Sequence, residues 1–311
     1  MGTLCEIRAF GKEKPKINQA VTLAFEEIAK LEGVLSNYRQ DSEIMRISRI
    51  AALSPQVCSG DLMAVLKLSQ HYARLTQGAF DVTVGPLIQL WGIQSEGRIP
   101  TEGEIADTLS RIGYSRLVLD ETLKTVRFIG NGMALDFGGI GKGYALDRAA
   151  EILKAHGIKA VILNLGGNIL VVGSPPFQKA WTIEVSDPKN PQGILAQLKV
   201  SNASISTSSQ IERSKNIKGR RIGHIFDPRS GKPVEFEGSV TVIAPTATEA
   251  DALSTALLVM GPENGLTFME NRKEGAAFFL VPSRNGDWEA RMSSRCAFYG
   301  MKRKFFRKEK I

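Results

Sequence analysis

The run Asp136-Phe137-Gly138-Gly139-Ile140-Gly141-Lys142-Gly143-Tyr144-Ala145 follows an apolar, strand-like stretch (Met133, Ala134, Leu135) and leads into an amphipathic helix. Four of its six residues from Gly138 to Gly143 are glycine, which lets backbone amides converge on an anion. A helix start adds unpaired N–H donors and the favourable end of the helix dipole. Lys142 contributes a cation, and the Asp136 carboxylate beside the loop suggests a shared metal. The spacing is neither a P-loop, which needs Ser or Thr after Gly-Lys, nor a dinucleotide fingerprint. The same glycines also suit a turn that only packs a strand against a helix.

Asp251 and Thr255 stand four apart on a predicted helix, so both oxygens share one face, and Ser254 lies within reach of it. Their neighbours Ala252, Leu253, Ala256 and Leu257 are apolar, so a carboxylate there needs a partner. Mg2+ favours such oxygen ligands and commonly completes its shell with substrate phosphates. A helix-start acid followed by a back-bonding threonine has the same signature. His224, ahead of the turn Asp227-Pro228-Arg229-Ser230-Gly231, can orient an attacking group or accept its proton. A lone histidine is also compatible with a structural role, and Asp227 reads as turn-forming. Phe80, Asp81 and Thr83 can line a cleft, Tyr38 can stack on a planar ring, and Asn164 and Asn168 flank a Gly-Gly turn. Packing or turn chemistry accounts equally for these.

Helical periodicity covers Ile17 to Leu35, Ser42 to Ile50 with Ser42 as cap, Ser59 to Leu75, Glu102 to Arg111, Ala145 to His156 and Thr248 to Met260. Strands are predicted at Cys5 to Phe10, Ala160 to Leu165, Ile169 to Val172, Trp181 to Val185, Lys199 to Ser206, Gly238 to Ala244 and Ala276 to Val281, with a hairpin over Leu117 to Phe128. Helices and strands come in mixed runs, which argues for α+β over a doubly wound parallel sheet. The chain has 311 residues, 43% hydrophobic and 23% charged, enough for one large folded domain or two intimate ones. Its net charge of +8 favours acidic ligands or surfaces and does not identify nucleic acid, which we do not expect as a partner. Three widely spaced cysteines and three histidines form no metal-binding spacing and no dense disulfide framework. No membrane span and no signal peptide is visible, so a cytoplasmic or leader-trimmed protein is expected.

Taken in order, these segments resemble the ApbE-type flavin transferase family across nearly the whole chain. The matching residues are Met1-Gly2-Thr3, Ser36-Asn37-Tyr38 with Ser42-Glu43-Ile44, Gly78 to Leu87 with Leu90-Trp91-Gly92, Asp136 to Tyr144, Leu163 to Asn168, His224 to Pro233 and Ala250 to Ala256. The resemblance implies a single α+β domain of the tunnelling-fold type over residues 1–300, with mixed or antiparallel sheets and packed helices, followed by a basic tail over 301–311. It implies a metal-dependent enzyme that moves the FMN moiety of FAD onto a Thr or Ser hydroxyl of an acceptor protein and releases AMP. Mg2+ would be held by Asp251, Thr255, Ser254 and the Gly139 carbonyl. FAD would meet Met1, Tyr38, Ala79, Phe80, Asp81, Asp136, Lys142 and Ile225. His224 would serve catalysis by taking the acceptor's hydroxyl proton, with Lys142 adding positive charge.

Two departures stand out. Gly141 replaces the family's usual alanine, and Thr207-Ser208-Ser209-Gln210-Ile211 replaces an expected Thr-Ser-Gly-x-Tyr pattern. The competing readings are an FAD pyrophosphatase giving FMN and AMP, distinguished by acceptor-independent AMP release, and a non-catalytic FAD-binding protein, distinguished by retention without turnover. The tail, with Phe305 and Phe306 among basic residues, suits either a weak contact with an anionic membrane surface or a solvated terminus.

Overall fold

The computed structural model describes residues 2–187, 190–211, 214–283 and 285–301, with backbone only at 190–192. The contact of Met1 with FAD and the behaviour of the basic tail from Lys302 onward concern residues outside that set. Met301, grouped with the tail in the sequence reading, is 3% exposed and belongs to an apolar core. The chain divides into two compact units of interleaved segments. One comprises the described parts of Ala29–Gly141 and Arg213–Glu235, the other those of Gly2–Ile28, Lys142–Glu212 and Phe236–Ile311. The fold is α+β, and every strand pairing between named strands is antiparallel. No helix among the described residues is long and apolar enough to cross a membrane.

In the first unit, side-chain caps set the helix starts. Ser42 Oγ accepts from the Met45 amide at 3.3 Å ahead of the helix Glu43–Ile50, and Ser59 Oγ accepts from Leu62 at 3.1 Å ahead of Gly60–Leu75. Each satisfies an amide that has no partner within its helix. Thr101 and Glu104 form a reciprocal capping box at Glu102–Leu109. The predicted hairpin exists as Leu117–Asp120 paired with Thr125–Phe128, and Gln56–Val57 extends it to three strands. Asp120 Oδ1 closes its turn by accepting from Thr122 and Leu123 at 3.0 and 2.9 Å. A short helix at Gly85–Trp91 carries no periodicity visible in the sequence. Pro86 is preset for its first turn, and left-handed Gly92 (φ 63°) ends it.

The second unit is built on a seven-stranded sheet in the order Cys5–Phe10, Ala160–Leu165, Asn168–Val172, Ala203–Ser209, Ser239–Ala244, Ala276–Pro282, Trp288–Met292. Leu165 pairs with Asn168 across the two-residue turn Gly166-Gly167, both with positive φ, the backbone that a tight hairpin requires. The helix Ala247–Glu270 packs across Ala203–Ser209, Ser239–Ala244 and Ala276–Pro282. An apolar cluster that includes Ile205, Ile243, Phe278 and Leu280 also holds Trp181, Ile183 and Leu198 from a two-stranded hairpin and Cys296 from a 3-10 turn. Phe278 and Phe279 are both 0% exposed, each contributing about 1.5–3 kcal/mol by burial.

Several boundaries differ from the sequence reading, and three of them have a clear local cause. The helix expected from Ala145 begins at Gly141, so Lys142 and Gly143 are helical. The expected strand Lys199 to Ser206 is two strands separated at Ser201-Asn202, where Asn202 takes φ 48°. The helix expected to end at Met260 resumes after a kink at Gly261 (φ 77°, ψ 171°) and runs to Glu270. Pro262 enters the second piece at its first turn, the place a helix accepts proline without losing a hydrogen bond.

Candidate functional site

Asp251, on the first turns of the helix Ala247–Glu270, is 3% exposed. Its Oδ2 accepts from the Gly143 amide at 2.9 Å, and its Oδ1 lies 3.6 Å from Lys142 Nζ. An amide from the first turn of one helix and the ammonium beside it thus compensate a carboxylate on another, as a buried charge demands. Gly143 permits the approach, since a Cβ there would lie 2.2 Å from the Ala247 carbonyl oxygen and 2.8 Å from Thr248 Cα.

Asp147, four residues beyond Gly143, braces the same two helices from the other direction. Its Oδ1 accepts from the Ala247 amide at 2.8 Å, and its Oδ2 accepts from the Thr248 amide at 2.8 Å and from Thr248 Oγ1 at 2.5 Å. Burial pushes its carboxyl up from the ordinary aspartate range, and the Thr248 and Ala247 hydrogen bonds only partly offset this. Thr255, one turn beyond Asp251, is half-buried, and Ser254 is fully buried. Ser254 Oγ lies 2.9 Å from the Asp251 carbonyl oxygen, 3.1 Å from Ser206 Oγ and 2.9 Å from Ser208 Oγ, and Ser206 Oγ is 2.9 Å from the Asn168 carboxamide.

The first unit holds the remaining expected residues. Asp136 Oδ1 accepts from the Gly138 amide at 2.8 Å, and Asn37 Nδ2 donates to Asp136 Oδ2. The Asp136 amide donates to the Val82 carbonyl at 2.7 Å, which ties the start of the glycine loop, with half-buried Gly139, to the segment that carries Asp81. Ala79, Phe80 and Asp81 are all buried. Asp81 Oδ1 accepts from Thr83 N and Oγ1 at 2.8 and 2.7 Å, and Oδ2 accepts from the Tyr114 amide at 2.7 Å, so the carboxylate organises its own loop. Burial raises its pKa against these three hydrogen bonds. Tyr38 is 69% exposed, presenting an open ring face.

His224 and Ile225 are half-buried at the entry to a closed turn. The Val234 amide donates to the Ile225 carbonyl at 3.0 Å, and the Gly231 amide donates to the Asp227 carbonyl at 2.8 Å. Asp227 pairs with Arg229 through two hydrogen bonds of 2.8 and 2.9 Å, consistent with its turn-forming reading. Trp91 Nε1 donates to the Gly231 carbonyl at 3.0 Å, and its ring centroid stands 5.9 Å from that of Phe226. The sequence assigned no site role to Asp147 or Ser206, and met Trp91 and Ser208 only as members of family motifs. Only Asp147 had a usable signal, its i, i+4 spacing from Gly143.

The oxygen set of the second unit suits a hard cation. No group of three or more His, Cys, Asp or Glu gathers among the described residues, which excludes a self-sufficient zinc-like cage there. One buried carboxylate with a hydroxyl one turn along is a partial set, the kind that Mg2+ completes with phosphate oxygens and water.

Comparison with known proteins adds an independent finding. The ApbE family model matches residues 1–280. A Klebsiella pneumoniae protein named FAD:protein FMN transferase is 31% identical over 264 residues, covering 84% of this chain and 82% of that protein. One of the same name from Vibrio cholerae is 32% identical over 278 residues, covering 87% and 82%. The solved structure of the flavin transferase ApbE from Vibrio cholerae superposes with a TM-score of 0.82 at 27% identity, covering 96% of each chain. The crystal structure of an ApbE protein from Thermotoga maritima gives 0.85 at 28% identity, covering 97% of each.

Proposed function

Because this chain belongs to the ApbE family of FAD:protein FMN transferases, and is on that ground an enzyme, we propose that it transfers the FMN moiety of FAD to a Thr or Ser hydroxyl of an acceptor protein in a metal-dependent reaction. The observation that carries this reading is the buried Asp251 carboxylate, held between the Gly143 amide and the Lys142 ammonium where the glycine-rich segment becomes a helix. Asp251 and Thr255 are the residues we assign to Mg2+, and the family resemblance adds a backbone carbonyl, that of Gly139. When bound, the metal supplies charge neutralisation at the pyrophosphate.

The acceptor's hydroxyl oxygen forms the new bond to the FMN-side phosphorus, the bond from that phosphorus to the AMP oxygen breaks, and AMP leaves with the electron pair. The hydroxyl proton passes to His224, whose turn is fixed by the Trp91–Gly231 and Ile225–Val234 hydrogen bonds. Lys142 places positive charge where phosphate charge develops. Asp136 anchors the glycine loop, and Tyr38, Ala79, Phe80, Asp81 and Ile225 are assigned to the FAD-binding surface.

The test is intact-mass spectrometry of an acceptor carrying the family's threonine motif, incubated with this protein, FAD and Mg2+. A chelator-sensitive gain of one FMN is expected. Replacing Asp251 by Ala is expected to lower the rate at least ~100-fold, the range for losing one electrostatic stabiliser. AMP and FMN released equally fast without acceptor would overturn the transferase reading in favour of hydrolysis. Full transfer by Asp251→Ala would overturn the metal assignment.

A further inference from the structure

Ser254 lies between Asp251 and Thr255, and its hydroxyl is the hub of a buried hydrogen-bond network. The Asp251 carbonyl can only accept, so the single Ser254 proton goes to it, at 2.9 Å. Ser206 Oγ and Ser208 Oγ, at 3.1 and 2.9 Å, then donate to the two lone pairs of Ser254. Ser206 has no proton left for Asn168, so Asn168 must donate to Ser206 across their 2.9 Å contact. Carboxamide oxygen and nitrogen are assigned from such networks. With the amide turned this way, all four contacts are satisfied, and the carboxamide oxygen takes the buried position where Asn168 Nδ2 otherwise has no hydrogen-bond partner among the described residues. Asn168 is 3% exposed, Ser206 1% and Ser254 0%, so these three groups depend on one another and not on bulk solvent for their hydrogen bonds.

With one proton given and both lone pairs filled, Ser254 cannot ligate a cation without breaking a buried hydrogen bond. Its donors come from the strand Ala203–Ser209, and Ser206 in turn is held from Asn168–Val172. The network therefore pins the first turns of the Ala247–Glu270 helix to two neighbouring strands at the Asp251 carbonyl. We propose that Ser206, Ser208 and Asn168 are positioning residues that act through Ser254 to fix Asp251 and Thr255, and that Ser254 is not itself a metal ligand. This rests on the reading of Asp251 and Thr255 as the metal-holding pair.

The test is Mn2+ binding, followed by the electron paramagnetic resonance of the free ion, in the full chain with FAD present and no acceptor. Ser254→Ala is expected to weaken Mn2+ roughly tenfold, the effect of losing a group that orients a ligand. The combined Ser206→Ala and Ser208→Ala variant is expected to match it, and the triple variant to be no worse, because the three hydroxyls act through one atom. Ser208→Ala alone, at a half-buried position, is expected to weaken Mn2+ to a smaller degree and leaves the fully buried layer untouched should the others fail to fold. Ser254→Ala abolishing binding as completely as Asp251→Ala would make Ser254 a ligand and overturn the proposal. Wild-type affinity in both Ser254→Ala and Ser208→Ala would overturn it as well, while Asp251→Ala still losing the ion would leave the metal assignment standing. Wild-type affinity in Asp251→Ala would overturn both together.

Discussion

Gly143 does two things at one position. It donates its amide to Asp251, and it leaves out a Cβ that would lie 2.2 Å from the Ala247 carbonyl oxygen. The obstructing atoms are backbone, so no rotamer change can make room. Gly143→Ala is expected to destabilise the protein by about 2–3 kcal/mol, as overpacking does, and to lower the midpoint of thermal unfolding by about 5 °C. An unchanged midpoint by differential scanning calorimetry would show that the two helices separate freely there. At this scale the sequence offered candidates where chemistry and spacing coincided, Lys142 beside the glycines and Asp251 and Thr255 four apart, and the structure brings Lys142 to Asp251. The serines opposite Ser254 were not legible, because nothing local links Ser206 and Ser208 to a residue more than forty positions later. Asp81 shows the opposite limit. Its sequence neighbourhood suggested a cleft, and its carboxylate oxygens accept hydrogen bonds from Thr83 and Tyr114.

The helix elements were read largely from their caps and apolar period, and the misplaced ends have identifiable causes. Glycines low in helix propensity hid the first turn at Gly141, where the Gly141 amide already donates to the Phe137 carbonyl at 2.7 Å. Gly261 and Pro262 read as a stop, yet a new helix starts directly after them. The brace between helices is Asp147, which caps Ala247–Glu270 from outside its own chain segment. Asp147→Asn keeps one acceptor but sets an amide donor against the Thr248 donors, an expected loss of about 1–2 kcal/mol. The pH dependence has a definite sign. Burial raises the folded-state pKa of Asp147 above its unfolded value, so the native state holds the proton over a range where the unfolded state has released it. Its contribution to stability is then full below the ordinary aspartate range and declines as pH rises through the folded pKa. The stability margin of wild type over the non-titrating Asp147→Asn should therefore narrow from acid toward neutral pH in chemical denaturation. A margin that widens with pH would mean that the helix-end amides outweigh burial.

For the whole molecule, the ordered set of motifs identified the family and its α+β class, while the sheet order was out of reach. Strands Ala203–Ser209 and Ser239–Ala244 are neighbours across a long insertion, and such pairings depend on which faces bury each other, not on local period. Superposition on relatives at 27–28% identity with TM-scores of 0.82–0.85 shows how much side-chain change the architecture tolerates. One buried carboxylate and a hydroxyl are too few ligands to hold Mg2+ strongly by themselves, and a net charge of +8 alone is too diffuse to select FAD. If Asp251 and Thr255 hold a metal as proposed, each ligand should complete the site for the other: phosphate oxygens would supply ligands that these two residues lack, and the metal would supply charge neutralisation. A ligand at a hundredfold excess over its Kd stabilises the native state by about 2.7 kcal/mol, an upward shift of about 5 °C for a chain of this size. FAD and Mg2+ together should give a shift of that order, exceeding the sum of the shifts each gives alone, by differential scanning fluorimetry in the absence of acceptor. Asp251→Ala should remove the excess while leaving the small shift from FAD alone. Purely additive shifts in the wild type would mean that the two ligands do not share coordinating atoms, and the metal would then have no part at the scissile phosphate.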